Sequence, residues 1–401
     1  MKRHLSRRDL LAGAVGTAAI GSFWTETGAQ SVDTTTHQGE PASELGSRSS
    51  HERPKRAPTR TRTTSRTPLQ DLHGTITPAD LHFERHHGGV PDVDPNAYRL
   101  LIHGMVERPT IFTLDDLKQF PATSRIHFLE CSGNFGGRNA EPETTPQNVC
   151  GMTSQSEWTG VALARLLQEV GASPDATWFL AEGQDAAVMT RSVPLEKAWD
   201  DAMIAYAQNG EALRPAQGYP ARLLLPGWEG NTNIKWLRRI KVAERPFMTR
   251  EETSKYTDPL ADGTARQFSF VVDARSIITS PSYPEIIQPG WVEIRGIAWS
   301  GRGRLARVDV STDGGQSWQA ARLQEPVLPK AHVRFRHLWN WDGSETDVMS
   351  RAVDETGYMQ PSREALLAAR GRRSRQYHLN PVTGWTVRPD GRVFYKQEPR
   401  W

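Results

Sequence analysis

The stretch "HFLECSGNFGGRN", His127 to Asn139, sets a cysteine between an apolar run and a glycine-rich turn. Ile126 to Leu129 reads as a short strand, and Ser132, Gly133, Asn134, Gly136 and Gly137 supply turn chemistry. Cys131 therefore stands at a strand end, where a rigid element holds the side chain and neighbouring glycines let a ligand approach the backbone closely. A lone cysteine is also a small hydrophobe that packs readily into a core, so position by itself leaves both readings open. The chain of 401 residues has only one other cysteine, Cys150.

Which compartment this thiol works in is read from the first residues, "MKRHLSRRDLLAGAVGTAAIGSFW". Lys2, Arg3, Arg7 and Arg8 precede a Gly/Ala-rich apolar run, Leu10 to Trp24, that is too short to span a bilayer comfortably. The pair Arg7-Arg8, flanked by Ser6 and Asp9-Leu10-Leu11, resembles a twin-arginine signal, the alternative being an ordinary basic signal peptide. Residues 1–29 are thus expected to be a signal peptide read by the twin-arginine translocase, which places the protein in the periplasm or at the cell exterior. That route carries folded proteins and suits an enzyme loaded with a cofactor.

Composition separates a tail from a body. Residues 30–70 are rich in Ser, Thr, Arg and Pro with few aliphatics, and read as a disordered linker. Residues 1–70 hold 11 of the 49 Lys and Arg and 6 of the 46 Asp and Glu, which leaves 38 basic and 40 acidic residues in the body. That balance argues against nucleic acid as a partner. From residue 71 to 265, short strands ("YRLLIHG", "RIHFLEC", "TWFLAEG", "ARLLLPG", "IKWLRRIKV") alternate with helical stretches such as "WTGVALARLLQEVG", which ends at Gly171. Residues 266–401 change to alternating strands, "WVEIRGIAWSG" and "LARVDVSTDGGQSW", with a hairpin turn at Asp313-Gly314, and read as an immunoglobulin-like sandwich.

Several motifs, in order, carry a resemblance: "FERHHGGVPDVDPNAYRLLIHG", "ECSGN" at Cys131, "GYPARLLLPGWEGNTNIKWLRRI", "TSKYTD", and "IRGIAWSG" with "VDVSTDGGQSW". Together they resemble the sulfite oxidase family of molybdenum enzymes, most of all the exported molybdenum subunits of bacterial sulfane and sulfite dehydrogenases. The resemblance implies an α+β chain, with a mixed α/β molybdopterin domain followed by an immunoglobulin-like β-sandwich that makes a homodimer. The implied cofactor is the molybdenum-molybdopterin cofactor.

The resemblance gives Cys131 a role, because a soft thiolate suits a transition metal and the family's matching cysteine bonds molybdenum beside two pterin sulfurs. Cys150 matches no ligand and reads as a packed thiol; a Cys131–Cys150 disulfide would remove the ligand. Cofactor and oxyanion substrate are both negative, so the pocket should gather positive charge. Arg85, within Phe83-Glu84-Arg85-His86-His87, matches the arginine that reaches the active-site oxygen and the substrate, with Phe83 and His87 beside it on the cofactor. Arg222, Asn233 and Lys235 match positions that hold the pterin and its phosphate, and Asp185 an acid bonded to the pterin ring. Tyr256 matches a tyrosine at the substrate mouth, where a phenol can donate a hydrogen bond and pass a proton.

Three departures narrow the substrate. Gln217 stands where many relatives have a cofactor-binding histidine. Gly136 replaces a second family arginine, with Arg138 two residues on, and the sandwich offers no clear anion-pocket arginine near "YHLNPVTGW". Fewer positive groups fit a carrier-bound sulfane sulfur better than free sulfite. The implied reaction is oxygen transfer from molybdenum to sulfur followed by electron removal. With no Cys-x-x-Cys-His haem site in the chain, a separate c-type cytochrome is the expected acceptor. A sulfoxide reductase on the same fold and a non-catalytic exported binding protein are the alternatives.

Overall fold

The computed structural model describes residues 38–59, 61–135, 137, 140–260, 262–371 and 377–397; the expected signal peptide, residues 1–29, and Gly136 and Arg138 lie outside them. The chain divides into a unit ending at Arg53 and a unit from Pro54 onward. In the first, residues 38–53 are exposed and carry no helix or strand.

The second unit begins earlier than composition suggests. Ala57–Pro58 and Thr64–Arg66 form a hairpin that adds Glu84–Arg85 as a third strand, and Thr67 and Leu69 are fully buried. The linker expected over residues 30–70 therefore ends near Arg53. Threonine-rich sequence lacks apolar payload but is β-branched and supplies hydroxyls, so it is held here by ladder hydrogen bonds rather than by burial.

Two sheets make the first domain. One is antiparallel, with Glu211–Ala212, Met203–Gln208, Thr153–Ala162 and Ala122–Glu130 in that order, and Arg222–Leu224 pairing Met203–Gln208. The other is mixed: Thr110–Phe112, Leu100–Gly104, Leu237–Ala243, Trp178–Gly183 and Thr190–Pro194, with Leu237–Ala243 parallel to Leu100–Gly104. Their apolar faces share a core that includes Leu100, Ile102, Val161, Phe179, Leu223 and Ile240. The segment "WTGVALARLLQEVG" divides. Its first half continues strand Thr153–Ala162, and only Leu163–Glu169 is helical, because both edges of this strand are occupied by ladder partners. The helix ends as expected beside Gly171, whose φ of +65° is the left-handed conformation that glycine adopts without strain.

The second domain is a sandwich. Arg275–Ser280, Gly290–Trp299, Val333–Trp341 and Arg322–Leu323 form one sheet; Gln319–Ala320, Leu305–Ser311, Thr346–Asp354, Thr383–Val387 and Val393–Tyr395 form the other. Ile277, Ile297, Phe335, Val308, Val348 and Trp385 fill the space between them. The hairpin at Asp313-Gly314 forms, with a longer turn than a two-residue one. Strand pairing resumes only at Gln319, because the Asp313 carboxylate accepts the Ser317 amide at 2.9 Å and the Ser311 hydroxyl at 2.7 Å.

Phe128 and Cys150, from the first domain, lie in the sandwich's core cluster, so the two domains share packing across their boundary. At this seam Glu130, the last residue of the strand before Cys131, is buried and ion-paired with Arg275 of the sandwich. Its carboxylate also accepts Trp299 Nε1–H at 2.7 Å and Asn134 Nδ2–H at 2.9 Å. Replacing Arg275 by Leu leaves that carboxylate buried without its counter-charge, and should cost about 3–5 kcal/mol of stability, whereas the Glu130→Gln, Arg275→Met double change should cost less. Denaturant unfolding of the three proteins measures the difference.

Candidate active site

Cys131 is placed by its strand and by the turn after it. Its amide donates to Met152 O at 3.0 Å, its carbonyl accepts Asn134 N–H at 2.9 Å, and Asn134 Oδ1 takes the Met152 amide at 2.8 Å. Gly230 passes behind it; a Cβ there would lie 2.9 Å from Glu130 O and 3.4 Å from Cys131 Cα, so only glycine allows this approach. Cys131 and Cys150 are both free thiols. Burial pushes the Cys131 thiol up, opposed by the Gly133 amide and by Arg85. Cys150 is pushed up to about 11 by its burial in the core.

The thiol opens on a pocket whose lining contains every residue singled out from the sequence: Phe83, Arg85, His87, Cys131, Asp185, Gln217, Arg222, Asn233, Lys235 and Tyr256. Gln217 Nε2 donates to Phe83 O at 3.0 Å, so this amide ties two segments of the wall together. Arg222 donates to Gln217 O at 2.9 Å and to Asn233 O at 3.2 Å, while its Nε has no partner; burial lowers this guanidinium to about 9. The Asn233 side chain is consumed by backbone: Oδ1 takes the Leu225 amide at 2.7 Å and Nδ2 donates to Glu229 O at 2.9 Å. It shapes the loop that carries Lys235. The Asp185 carboxylate accepts the Met189 amide at 3.1 Å.

Lys235 Nζ reaches Arg85 O at 3.2 Å, Ala216 O at 3.0 Å and His86 Nδ1 at 2.7 Å, and burial with Arg222 nearby depresses its pKa. The Tyr256 hydroxyl lies 3.1 Å from His87 Nε2, its ring is stacked under the Arg191 guanidinium at 5.1 Å, and burial keeps its phenol protonated. Burial, with Arg85 next, lowers His87 to about 4, so the imidazole is neutral, and in the tautomer that carries its proton on Nε2 it donates to the phenol oxygen and leaves the phenol's own proton free.

The structure adds residues that sequence reasoning passed over. His86, from the same motif as Arg85, carries the contact to Lys235. His82 and Trp236 line the pocket, and Tyr377 packs 5.1 Å from Tyr256. His86 was legible as a polar residue in a recognised motif. Tyr377 comes from the sandwich, far away in sequence, and no local signal marks it.

The residues fit an anionic metal cofactor on three counts. Three basic side chains, Arg85, Arg222 and Lys235, face one lining carboxylate, Asp185, a surplus of positive charge in the lining that calls for an anion. Two lining side chains hold buried, unpartnered atoms, Arg222 Nε and His82 Nε2, one donor and one acceptor. Among the described residues no three His, Cys, Asp or Glu converge as a ligand cluster, so a metal held by Cys131 must bring its other ligands with it. A dithiolene pterin with a phosphate meets all three conditions.

The comparisons agree with this geometry. Residues 87–251 match the oxidoreductase molybdopterin binding domain, and residues 266–384 the Mo-co oxidoreductase dimerisation domain. Sulfite oxidase of Gallus gallus is 30% identical over 313 residues, covering 71% of this chain and 68% of that protein. The nitrate reductase (NADH) of Ulva prolifera is 31% identical over 72% of this chain, which spans 38% of that enzyme's length. The crystal structure of the sulfane dehydrogenase SoxCD from Paracoccus pantotrophus superposes with a TM-score of 0.83 at 44% identity, covering 96% of this chain and all of that one. The chain belongs to the sulfite oxidase family of molybdopterin oxidoreductases. Within it, the chain resembles the sulfane dehydrogenase in sequence and in both domains.

Five histidines whose basicity is lowered by desolvation, four of them buried, set a pH response. Burial lowers His82, His86 and His332 to about 3 and His87 and His127 to about 4, from an ordinary 6.5. The unfolded chain therefore binds more protons than the folded one below pH 6.5, and stability falls as the pH drops from there. His378, raised by Glu229 against its burial, works in the opposite sense, as one group against five. The thermal midpoint should fall steadily between pH 6.5 and 5, and calorimetry across that range checks it.

Proposed function

We propose that this protein is an exported molybdenum-dependent sulfane or sulfite dehydrogenase that passes electrons to a c-type cytochrome. The observation that carries the reading is the meeting of Cys131, Arg85 and Tyr256 in one pocket with surplus positive charge. The similarity to the sulfane dehydrogenase supports the sulfur substrate. Arg7-Arg8 supports export by the twin-arginine route to the periplasm or exterior. The match to a dimerisation domain supports a homodimer, as do Trp291 and Leu338, 71% and 62% exposed on neighbouring strands of the sandwich.

The molybdenum cofactor, when bound, supplies oxygen-atom transfer to sulfur and a two-electron sink. Cys131 would be its protein ligand. Arg222 and Lys235 hold its anionic pterin and phosphate, with Gln217 and Asn233 bracing the wall behind them. Arg85 binds the negative end of the substrate through a charge-assisted hydrogen bond. The Tyr256 phenol, oriented by His87, would donate a hydrogen bond at the mouth of the pocket and hold a proton there. A carrier-bound sulfane sulfur suits this pocket, because Arg85 is the one lining arginine among the described residues besides Arg222, which is assigned to the cofactor.

Purified holoenzyme should carry about one molybdenum per chain and continue turning over only with an added acceptor such as cytochrome c. Cys131→Ser should abolish turnover while leaving the fold intact, since an alkoxide is the poorer ligand and the volume change is small. Arg85→Gln should lower kcat/KM by about one to two decades. Metal analysis that found none in matured protein would favour a binding protein, and rapid turnover with oxygen alone would favour an oxidase.

A further inference from the structure

We infer that the hairpin of Ala57–Pro58 and Thr64–Arg66 is a positioning strap for Arg85 and, through Glu84, for Lys235, which rests on the reading of Arg85 as the substrate's cation. Strand Glu84–Arg85 lies at the edge of its sheet. Its ladder partner among the described residues is Thr64–Arg66, with Thr64 opposite Arg85 and Ser65 opposite Glu84. His86 N donates to Thr63 O at 2.8 Å, which extends the ladder by one residue.

The arginine side chain is held as well as its backbone. Nη1 of Arg85 donates to His86 O and, at 3.4 Å, to Thr63 Oγ1. The Thr63 hydroxyl donates its own proton to Thr61 Oγ1 at 3.2 Å, so it faces the guanidinium as an acceptor. No carboxylate ion-pairs with Arg85 among the described residues. The choice of neutral acceptors has a consequence: a hydroxyl and a carbonyl orient the guanidinium without neutralising it, whereas an aspartate in their place would compete with an anionic substrate.

A second branch runs deeper. Arg56 of the strap ion-pairs with Glu84, whose other oxygen takes His86 Nε2–H at 3.0 Å. That bond fixes the tautomer in which His86 Nδ1 accepts from Lys235 at 2.7 Å. The strap is itself fastened to the scaffold of the site. Thr67 Oγ1 meets Ser154 Oγ at 2.6 Å, on the strand that pairs with the strand leading to Cys131. Gln147 Nε2 donates to Lys55 O at 2.9 Å and Arg66 O at 2.7 Å. The spacing between the thiol and the arginine is thus set through one continuous frame.

The test uses the full-length holoenzyme with Thr63→Val, Thr63→Ser and Arg56→Gln, each also combined with Arg85→Gln. Sulfite serves as substrate, and calorimetry measures sulfate affinity. Thr63→Val and Arg56→Gln should each raise KM by about three- to tenfold with kcat less affected, and weaken sulfate binding by a similar factor. Molybdenum content and thermal midpoint report whether each variant is folded and loaded. Thr63→Ser, which keeps the hydroxyl, should restore the wild-type values. In the Arg85→Gln background Thr63→Val should add nothing, because it acts through that residue, whereas Arg56→Gln, which acts through Glu84 and His86 on Lys235, should keep its effect. Unchanged KM and sulfate affinity in Thr63→Val, or a Thr63→Val effect that multiplies with Arg85→Gln, would overturn the strap while leaving the assignment of Arg85 in place. An Arg85→Gln enzyme that binds and turns over normally would overturn both.

Discussion

The buried carboxylate of Glu130 is the constraint around which the site is assembled. Taking a carboxylate out of water costs several kcal/mol unless donors replace the lost hydration, and burial does push this group up against the pull of Arg275. The replacements come from three places: Asn134 in the turn after Cys131, Arg275 at the start of the sandwich, and Trp299 at the end of its second strand. Each is thereby held to the residue next to the thiol. Arg275 also donates to the backbone of Asn134 and of Leu379, which ties in the sandwich's last connection. The molybdopterin-binding domain and the dimerisation domain therefore meet beside Cys131, and the position of its thiol depends on both.

The front of the pocket is built on the opposite imbalance. Arg222 and Lys235 are buried with neutral acceptors, and both lose basicity to burial. Surrounding histidines are kept uncharged by the same burial, so they relieve the cations without adding to them. Such a pocket is costly when empty and favourable when an anion enters, so part of the cofactor's binding free energy appears as stability of the folded chain.

Much of this was legible in the sequence because the residues that carry the chemistry sit in short, ordered motifs. The strand before Cys131, the strand over "IKWLRRIKV" and the change of pattern after Asp273 follow from periodicity, while the ten singled-out residues of the pocket were reached through the resemblance that the motifs carry. What escaped was set by tertiary context. The run before Leu163 has helical spacing, yet two neighbouring strands claim its backbone. The segment from Ala57 to Thr67 has the composition of a tail, yet its hydroxyls and amides find partners that composition does not reveal. Asn233 was placed on the cofactor, but its amide is taken up by the loop that presents Lys235.

The electrostatics of Cys131 bear on what kind of cysteine it is. A nucleophilic cysteine sits where its thiolate is favoured, by a helix N-terminus or an adjacent cation that outweighs desolvation. Here desolvation is the largest influence and raises the thiol, and the nearby carboxylates of Glu229 and Glu130 act in the same direction against Arg85. Left alone, this thiol stays protonated and unreactive. A bound metal reverses the balance, because a coordinating thiol is deprotonated outright. The surroundings that make Cys131 a poor nucleophile thus leave it a competent ligand, and the cation surplus on the other side of the pocket is matched to the negative charge that a dithiolene cofactor brings.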